Sequence, residues 1–391
     1  MTTDAYWHDP GLMVRLGAPV DSKTFDLAVV GLGGSGLSAI HAGLERGWTV
    51  VGVDAVGVAA GAAGRNGGFL LKGLAPFYHD ARTLLGRSLA SRLYAATEKH
   101  LLRMEAQTPD DVRLVGSLRR AESEPEREDC ARHLEALQED GFQGSWVREP
   151  EGTGLLIPGD GVFHPVARCV RLARRAQDRG ARLLRARVDA LEPGVLRTPT
   201  GPVRARRVLV AVDGGLEALL PPTTPSTKEA FGFDPMPVAT RLQMLATAPD
   251  PVLRTRYAVY SRYGYDYWQQ RRDGRILLGG GRDVGGSSER TPSLETTAEV
   301  QDYLTEVLRK TLRSPVAVTH RWAGTVSYAR RPVFRLEPGC AFVGAYSGTG
   351  NVLGSLMAEA AVSCLAGAPS ETAHLLREMA SADLGEVRAP D

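Results

Sequence analysis

The run Gly31-Leu32-Gly33-Gly34-Ser35-Gly36 constrains the fold of this chain more than any other feature. It follows Phe25-Asp26-Leu27-Ala28-Val29-Val30, an apolar, β-branched stretch that reads as a buried strand. It opens Leu37 to Leu44, where apolar residues recur at helical spacing, and Gly47 ends that helix as a C′ glycine. Trp48 to Val53 is a second strand, closed by Asp54. Residues 25–54 therefore form one βαβ unit. A bare G-x-G-x-x-G is a weak signal. After a strand, at the start of a helix and with an acid 18 residues beyond its last glycine, it is a nucleotide-binding fingerprint. Gly31 permits the tight turn, Gly33 lets the backbone approach a pyrophosphate, and Gly36 lets helix and strand pack closely. The N–H groups at Gly34 and Ser35, at the helix start, are offered to phosphate. Asp54 can accept hydrogen bonds from an adenosine ribose and would repel a 2′-phosphate, which argues against NADP.

Composition excludes several classes. A chain of 391 residues allows two or three domains, or two interleaved ones. With 43% hydrophobic and 24% charged residues it is neither disordered, collagen-like nor a coiled coil. A net charge of +2 points to no nucleic-acid or membrane-surface partner. Cys130, Cys169, Cys340 and Cys364 lie far apart, so neither a zinc site nor a disulfide framework is indicated, and a reduced, cytoplasmic setting is expected. No stretch reaches the roughly 18 apolar residues of a transmembrane helix, and the first 23 residues do not resemble a secretory signal. The histidines show no metal-ligand spacing, and there is no nucleophile elbow.

Further along, residues 81–107 read as one helix, 113–121 as a strand and 122–140 as a charge-rich helix. A second αβ stretch holds a helix at 166–179 and strands at 183–191 and 203–212. Residues 221–237 read as a linker, 252–283 as tyrosine-rich strands, 294–312 as a helix, 341–345 as a last buried strand and 351–365 as a small-residue helix. Three more glycine elements stand out. Gly61-Ala62-Ala63-Gly64-Arg65-Asn66-Gly67-Gly68 can wrap a cofactor larger than a nicotinamide dinucleotide, or be a surface loop; Arg65 and Asn66 could bind phosphate or ribityl oxygens. The strand Val208 to Val212 ends in Asp213-Gly214-Gly215. Phe342 to Ala345 runs into Tyr346-Ser347-Gly348-Thr349-Gly350-Asn351, a turn before a helix whose positive end would favour a group gaining negative charge.

On these residues the chain resembles the D-amino-acid oxidase superfamily of FAD flavoproteins. GLGGSG with Asp54, GAAGRNGG, VLVAVDGG, Trp322-Ala323-Gly324 and YSGTGN carry the resemblance over about residues 24–366. Tyr6-Trp7-His8-Asp9, the GRNGGF phrase and Asp273 to Gly280 most resemble the γ-glutamylputrescine oxidase-like amine oxidases. The resemblance implies an α/β fold, with a Rossmann-like FAD-binding domain interleaved with an α+β substrate domain built on a mostly antiparallel sheet. The expected division is 1–80, 155–225 and 325–391 for FAD, and 81–154 and 226–324 for substrate. FAD would be held by Gly31, Gly33, Gly34, Ser35, Gly36, Asp54, Ala55, Gly64, Arg65, Asn66, Gly67, Gly68, Val188, Gly214, Gly348, Thr349, Gly350 and Asn351, with Val188 meeting the adenine. It would be noncovalent, because Thr325 to Arg331 holds no cysteine and 61–68 no histidine.

The implied reaction is oxidation of the C–N bond of an amine or amino acid, with oxygen or another electron acceptor as reoxidant. Oxidation of a hydroxy acid, or a flavin-binding subunit with an assembly or redox-sensing role, are the alternatives. Relatives hold a small carboxylate with cations where this chain has Val326 and Val352. Lys72 is the expected replacement, or an ordinary surface lysine. Tyr263, Tyr265 and Tyr267 would alternate onto one strand face, to cage a cationic amine or to pack the sheet. Tyr346 is expected to face substrate, and Cys340 to be a buried thiol.

Overall fold

The computed structural model describes residues 4–9, 11–18, 23–219 and 237–382. The expected linker at 221–237 lies, except for residue 237, outside the described residues. The chain forms two compact units, each built from three segments. One takes Met1–Asp9, Arg65–His164 and Thr240–Thr325; the other takes Pro10–Gly64, Pro165–Ala239 and Val326–Asp391. The structure divides the chain after Asp9, Gly64, His164, Ala239 and Thr325, against expected divisions after residues 80, 154, 225 and 324.

The second unit is built on a six-stranded sheet. Its order is Arg182–Arg185, Val50–Asp54, Leu27–Val30, Val208–Val210, Cys340–Gly344, Val333–Glu337. The first five strands are parallel and the last is antiparallel. Strands with helices on their faces are apolar throughout, which is why LAVV and VLV carry no polar alternation. Helix Gly34–Glu45 packs against helices Leu353–Leu365 and Pro165–Asp178. A separate four-stranded sheet includes Thr24–Phe25 and Val203–Ala205.

The first unit is built on an eight-stranded, mostly antiparallel sheet. Its order is Val318–Tyr328, Val238–Pro249, Arg275–Gly280, Asp266–Gln270, Ala258–Ser261, Ser117–Arg120, Gly152–Ile157, Ser145–Glu149. One face packs Leu245, Val259, Trp268 and Leu278 against the helix Ala298–Glu306. The opposite face carries Ala258, Tyr260 and Tyr267, packed with Phe69 and Val162.

Several elements are shorter than their sequence pattern. The helix expected at 81–107 is two, Tyr78–Leu85 and Arg87–Gln107, because Gly86 at φ 79 breaks the backbone between them. The strand expected at 113–121 begins properly at Ser117, after Gly116 at φ 82. The charge-rich helix runs Glu124–Glu139 behind a capping box of Ser123 and Glu126. Cys340 is half-buried, and burial pushes its thiol up to about 11. Among the described residues no helix is long and apolar enough to cross a membrane, and no His, Cys, Asp and Glu cluster could hold a metal.

Candidate cofactor and substrate sites

In the unit with the parallel sheet, the glycine turn has the geometry its sequence implied. Gly31 sits at φ 100, and a Cβ built on Gly36 would fall 1.9 Å from the Gly31 carbonyl oxygen, so only glycine fits there. Gly33 is the N-cap of helix Gly34–Glu45 and supplies no side-chain cap. The first-turn N–H groups, those of Gly34 and Ser35 among them, are left for an anion. The Asp54 carboxylate shapes the same turn: Oδ2 accepts from Leu32 N–H at 2.9 Å, and Oδ1 from Val56 and Gly57 N–H, both at 2.9 Å. Of about four acceptor positions on a carboxylate, one remains for a ribose hydroxyl. An uncapped helix start, a turn that excludes side chains and an acid with spare acceptor capacity fit an adenosine diphosphate moiety.

The other expected residues of this unit gather around that turn. A Cβ on Gly33 would lie 3.1 Å from that of Ala63, beside the short helix Ala62–Gly64. Val188 is buried in one apolar cluster with Val30, Val53 and Ala345. Ala55 and Gly214 are exposed. The last glycine turn is strained: Ala345, Ser347 and Gly348 all have positive φ, at 53, 50 and 92. Gly350 has no room for a side chain, since its Cβ would meet the Tyr346 ring at 2.6 Å. The Thr349 hydroxyl donates to the Tyr346 carbonyl at 2.8 Å, and Asn351 lies just before the helix Leu353–Leu365. The Tyr346 phenol, expected to face substrate, is buried and donates to Ser35 Oγ at 3.2 Å.

Sequence reasoning missed Asp213, which accepts from the backbone N–H groups of Ser327 and Tyr346, both at 3.4 Å. Burial pushes its carboxyl up to about 6. The glycines after it drew attention; the acid itself carried no separate signal.

In the other unit, the loop Arg65 to Gly68 is held from three sides. Trp7 Nε1 donates to the Asn66 carbonyl at 2.7 Å, and Trp322 Nε1 to the Arg65 carbonyl at 2.9 Å. Arg65 Nε returns a bond to the Ala323 carbonyl. A Cβ on Gly324 would meet Arg65 at 3.0 Å, so the Trp-Ala-Gly phrase needs its glycine. Asn66 Oδ1 accepts from Gly68 N–H at 2.8 Å. Gln269, which the sequence did not flag, donates to the Gly67 and Gly68 carbonyls at 2.6 and 3.0 Å. Arg65 and Asn66 thus shape the loop with the same groups that were expected to bind a cofactor.

An aromatic wall stands against this loop. Phe69 packs at 5.1 Å on Tyr260 and 5.6 Å on Tyr267, and the Tyr267 ring lies 3.2 Å from where a Gly67 Cβ would be. Burial raises the Tyr260 phenol well above its ordinary value.

The expectation of three tyrosines on one strand face is corrected. Only Tyr267 lies in the strand Asp266–Gln270. Ser261 pairs with Asp266, so residues 262–265 form a four-residue hairpin loop, and Arg262 and Tyr263 turn it with φ of 52 and 56. That turn destroys the period-2 alternation. Tyr265 is covered by Arg282, whose guanidinium lies 4.7 Å from its ring centre.

Lys72 is buried, not a surface lysine. Its Nζ lies 2.9 Å from Glu98 Oε1, donates to the Pro158 carbonyl at 2.8 Å and lies 5.5 Å from the Tyr94 ring centre.

The family model for FAD dependent oxidoreductases (DAO) matches residues 26–363. The chain is 27% identical over 387 residues to the probable oxidoreductase OrdL of Rhizobium meliloti (strain 1021), covering 91% of this chain and 88% of that protein. It is 27% identical over 368 residues to the gamma-glutamylputrescine oxidoreductase of Escherichia coli (strain K12), covering 87% and 84%. The fold matches that of glycine oxidase from Bacillus cereus, with a TM-score of 0.72 at 18% identity over 93% of this chain and 100% of that one. It also matches L-proline dehydrogenase from P. horikoshii, with a TM-score of 0.72 at 16% identity over 90% and 95%.

Proposed function

The chain belongs to the FAD-dependent oxidoreductase (DAO) family, and from that premise we propose that it oxidises the C–N bond of an amine or amino acid, the imine then being hydrolysed by water. When bound, FAD supplies the two-electron oxidation of that bond. The residues of this chain do the rest. The N–H groups of Gly34 and Ser35 hold the pyrophosphate, Asp54 takes the ribose, and the backbone at Val188 meets the adenine. The helix Leu353–Leu365, behind Gly348 to Asn351, presents its positive end to charge that develops during the reaction. The unit with the eight-stranded sheet recognises substrate.

The observation that carries this reading is the aromatic wall of Phe69, Tyr260 and Tyr267 against Gly67. An apolar surface disfavours the charged form of an amine, and only the neutral amine gives up a hydride readily. No protein acid or base is then needed to start the reaction. By their names, the relatives support the same class: one acts on gamma-glutamylputrescine, others on glycine and L-proline. Val326 and Val352 stand where such relatives place cations, so a molecule larger than glycine or sarcosine is favoured. The test is product analysis: FAD-loaded protein, an artificial electron acceptor and a panel of amines and amino acids. Formation of an aldehyde or keto acid from at least one member supports the reading. Turnover of hydroxy acids alone would refute it.

A further inference from the structure

We propose that Trp7 is a positioning residue for the cofactor: by holding the Asn66 carbonyl it aims the Gly67 N–H at the flavin ring, which favours the reduced cofactor over the oxidised one. The proposal rests on the reading that the loop Arg65 to Gly68 faces FAD, and it is independent of which substrate the protein takes.

Side chains draw four successive carbonyls of this loop back into the protein. The Arg65 carbonyl accepts from Trp322 Nε1 at 2.9 Å, and the Asn66 carbonyl from Trp7 Nε1 at 2.7 Å. Those of Gly67 and Gly68 both accept from Gln269 Nε2, at 2.6 and 3.0 Å. The C=O and N–H of a trans peptide point in opposite directions. Each carbonyl drawn back therefore turns the following N–H away from the side chain that holds it. The Gly68 N–H is used within the loop, donating to Asn66 Oδ1 at 2.8 Å. The Gly67 N–H belongs to the peptide that Trp7 holds. Gly67 is buried, and its N–H meets no acceptor among the described residues. A buried N–H without a partner is rare and costly. An acceptor from outside the chain would answer it, and a flavin ring carries both nitrogen and carbonyl acceptors.

Trp7 is itself held firmly enough to fix this peptide. It is fully buried, with His164 4.9 Å from its ring centre, Tyr6 edge-on at 5.3 Å and the Arg271 guanidinium at 5.2 Å. The His8 N–H closes a turn onto the Ala5 carbonyl at 3.0 Å. The indole also packs on the loop, since a Cβ on Gly68 would lie 2.9 Å from Trp7 Cζ2. Tryptophan has a single donor, and here it is spent on the Asn66 carbonyl.

Reduction places electron density on the flavin ring. A hydrogen bond to an acceptor that gains negative charge is roughly twice as strong as one to a neutral acceptor. A fixed Gly67 N–H therefore strengthens binding of the reduced cofactor more than of the oxidised one, and this difference in affinity raises the reduction potential of the bound flavin. If Trp7 only packed the segment around it, its loss would weaken both redox states alike and leave the potential unchanged.

The test variant is Trp7→Phe, which keeps an aromatic ring among Tyr6, His164 and Arg271 and removes the indole N–H. The midpoint potential of the bound flavin is measured by dithionite reduction against a reference dye. It should fall by about 30 mV, which for a two-electron couple is about a tenfold loss of preference for the reduced cofactor. Trp146→Phe, on an exposed edge strand, should leave the potential unchanged. An unchanged potential in a Trp7→Phe protein that still binds FAD overturns the proposal. If that variant does not fold or does not hold FAD, hydrogen exchange in the unaltered protein decides: the Gly67 N–H should exchange at least about tenfold more slowly with FAD bound than in the apoprotein, and equal exchange overturns the proposal. The predicted shift in a protein whose flavin no amine reduces would uphold the role of Trp7 and refute the amine reading alone. Amine oxidation with an unchanged potential in Trp7→Phe would do the opposite.

Discussion

The Tyr346 hydroxyl donates to Ser35 Oγ across 3.2 Å, joining the last glycine turn of the chain to the first. The ring also packs over Gly350 and Gly354. Tyr346→Phe keeps the ring and removes the bond. It should lower stability by about 0.5–1.5 kcal/mol and weaken FAD binding severalfold. Denaturant unfolding and FAD titration of the apoprotein would measure both, and wild-type values in both would show that the bond supports nothing.

Gly33→Val should abolish FAD binding. The backbone at Gly33 tolerates a side chain, but its Cβ would press on Ala63 at 3.1 Å and its methyls would enter the space assigned to the pyrophosphate. Asp54→Ala should weaken binding more mildly and also loosen the turn, because it removes acceptors from Leu32, Val56 and Gly57. The wild-type protein should release its FAD into the supernatant on denaturation. A Gly33→Val protein purified fully yellow would contradict this placement.

The nucleotide turn was legible because its constraints are local. Gly31 needs its φ, Gly36 its missing Cβ and Asp54 its place at a strand end, and each leaves a fixed mark in the sequence. The substrate side was legible only in fragments. Trp7 and Trp322 were noticed as family phrases, but their common task, bonding the Asn66 and Arg65 carbonyls, spans more than 250 residues of sequence for Trp322. The long strands Val238–Pro249 and Val318–Tyr328 were not singled out, since neither alternates cleanly between apolar and polar residues. Tyr263 and Tyr265 fall off the strand because the hairpin loop turns through three left-handed residues, Arg262, Tyr263 and Gly264, of which only Gly264, at φ 86, marks the turn in the sequence.

Lys72→Met tests two tasks for one residue. The Lys72 ammonium is buried between Glu98 and the Pro158 carbonyl. Removing it should cost about 1–3 kcal/mol of stability, since that carbonyl loses a charged donor. A raised KM for anionic substrates at unchanged stability would instead restore the substrate role that its place in the sequence implied.

Asp213 should impose a pH dependence on stability. Burial raises its folded pKa to about 6, above the ordinary value of 3.8, so between these values the native state binds more protons than the unfolded one. Its contribution is therefore most favourable below pH 3.8 and declines as pH rises through about 6. Asp213→Asn removes that term. Relative to wild type, the variant should gain on the order of 2–3 kcal/mol between pH 4 and 7. Urea unfolding across that range would show it, and parallel pH profiles for the two proteins would rule it out.

The central claim is that this flavoprotein takes electrons from an amine. It is tested most directly by anaerobic mixing of the FAD-loaded protein with a panel of amines and amino acids, γ-glutamylputrescine among them, while the yellow absorbance is followed. The account predicts rapid bleaching by at least one amine and slow or no bleaching by glycine and sarcosine. A flavin that dithionite bleaches but that stays yellow with every amine and amino acid in the panel would contradict it.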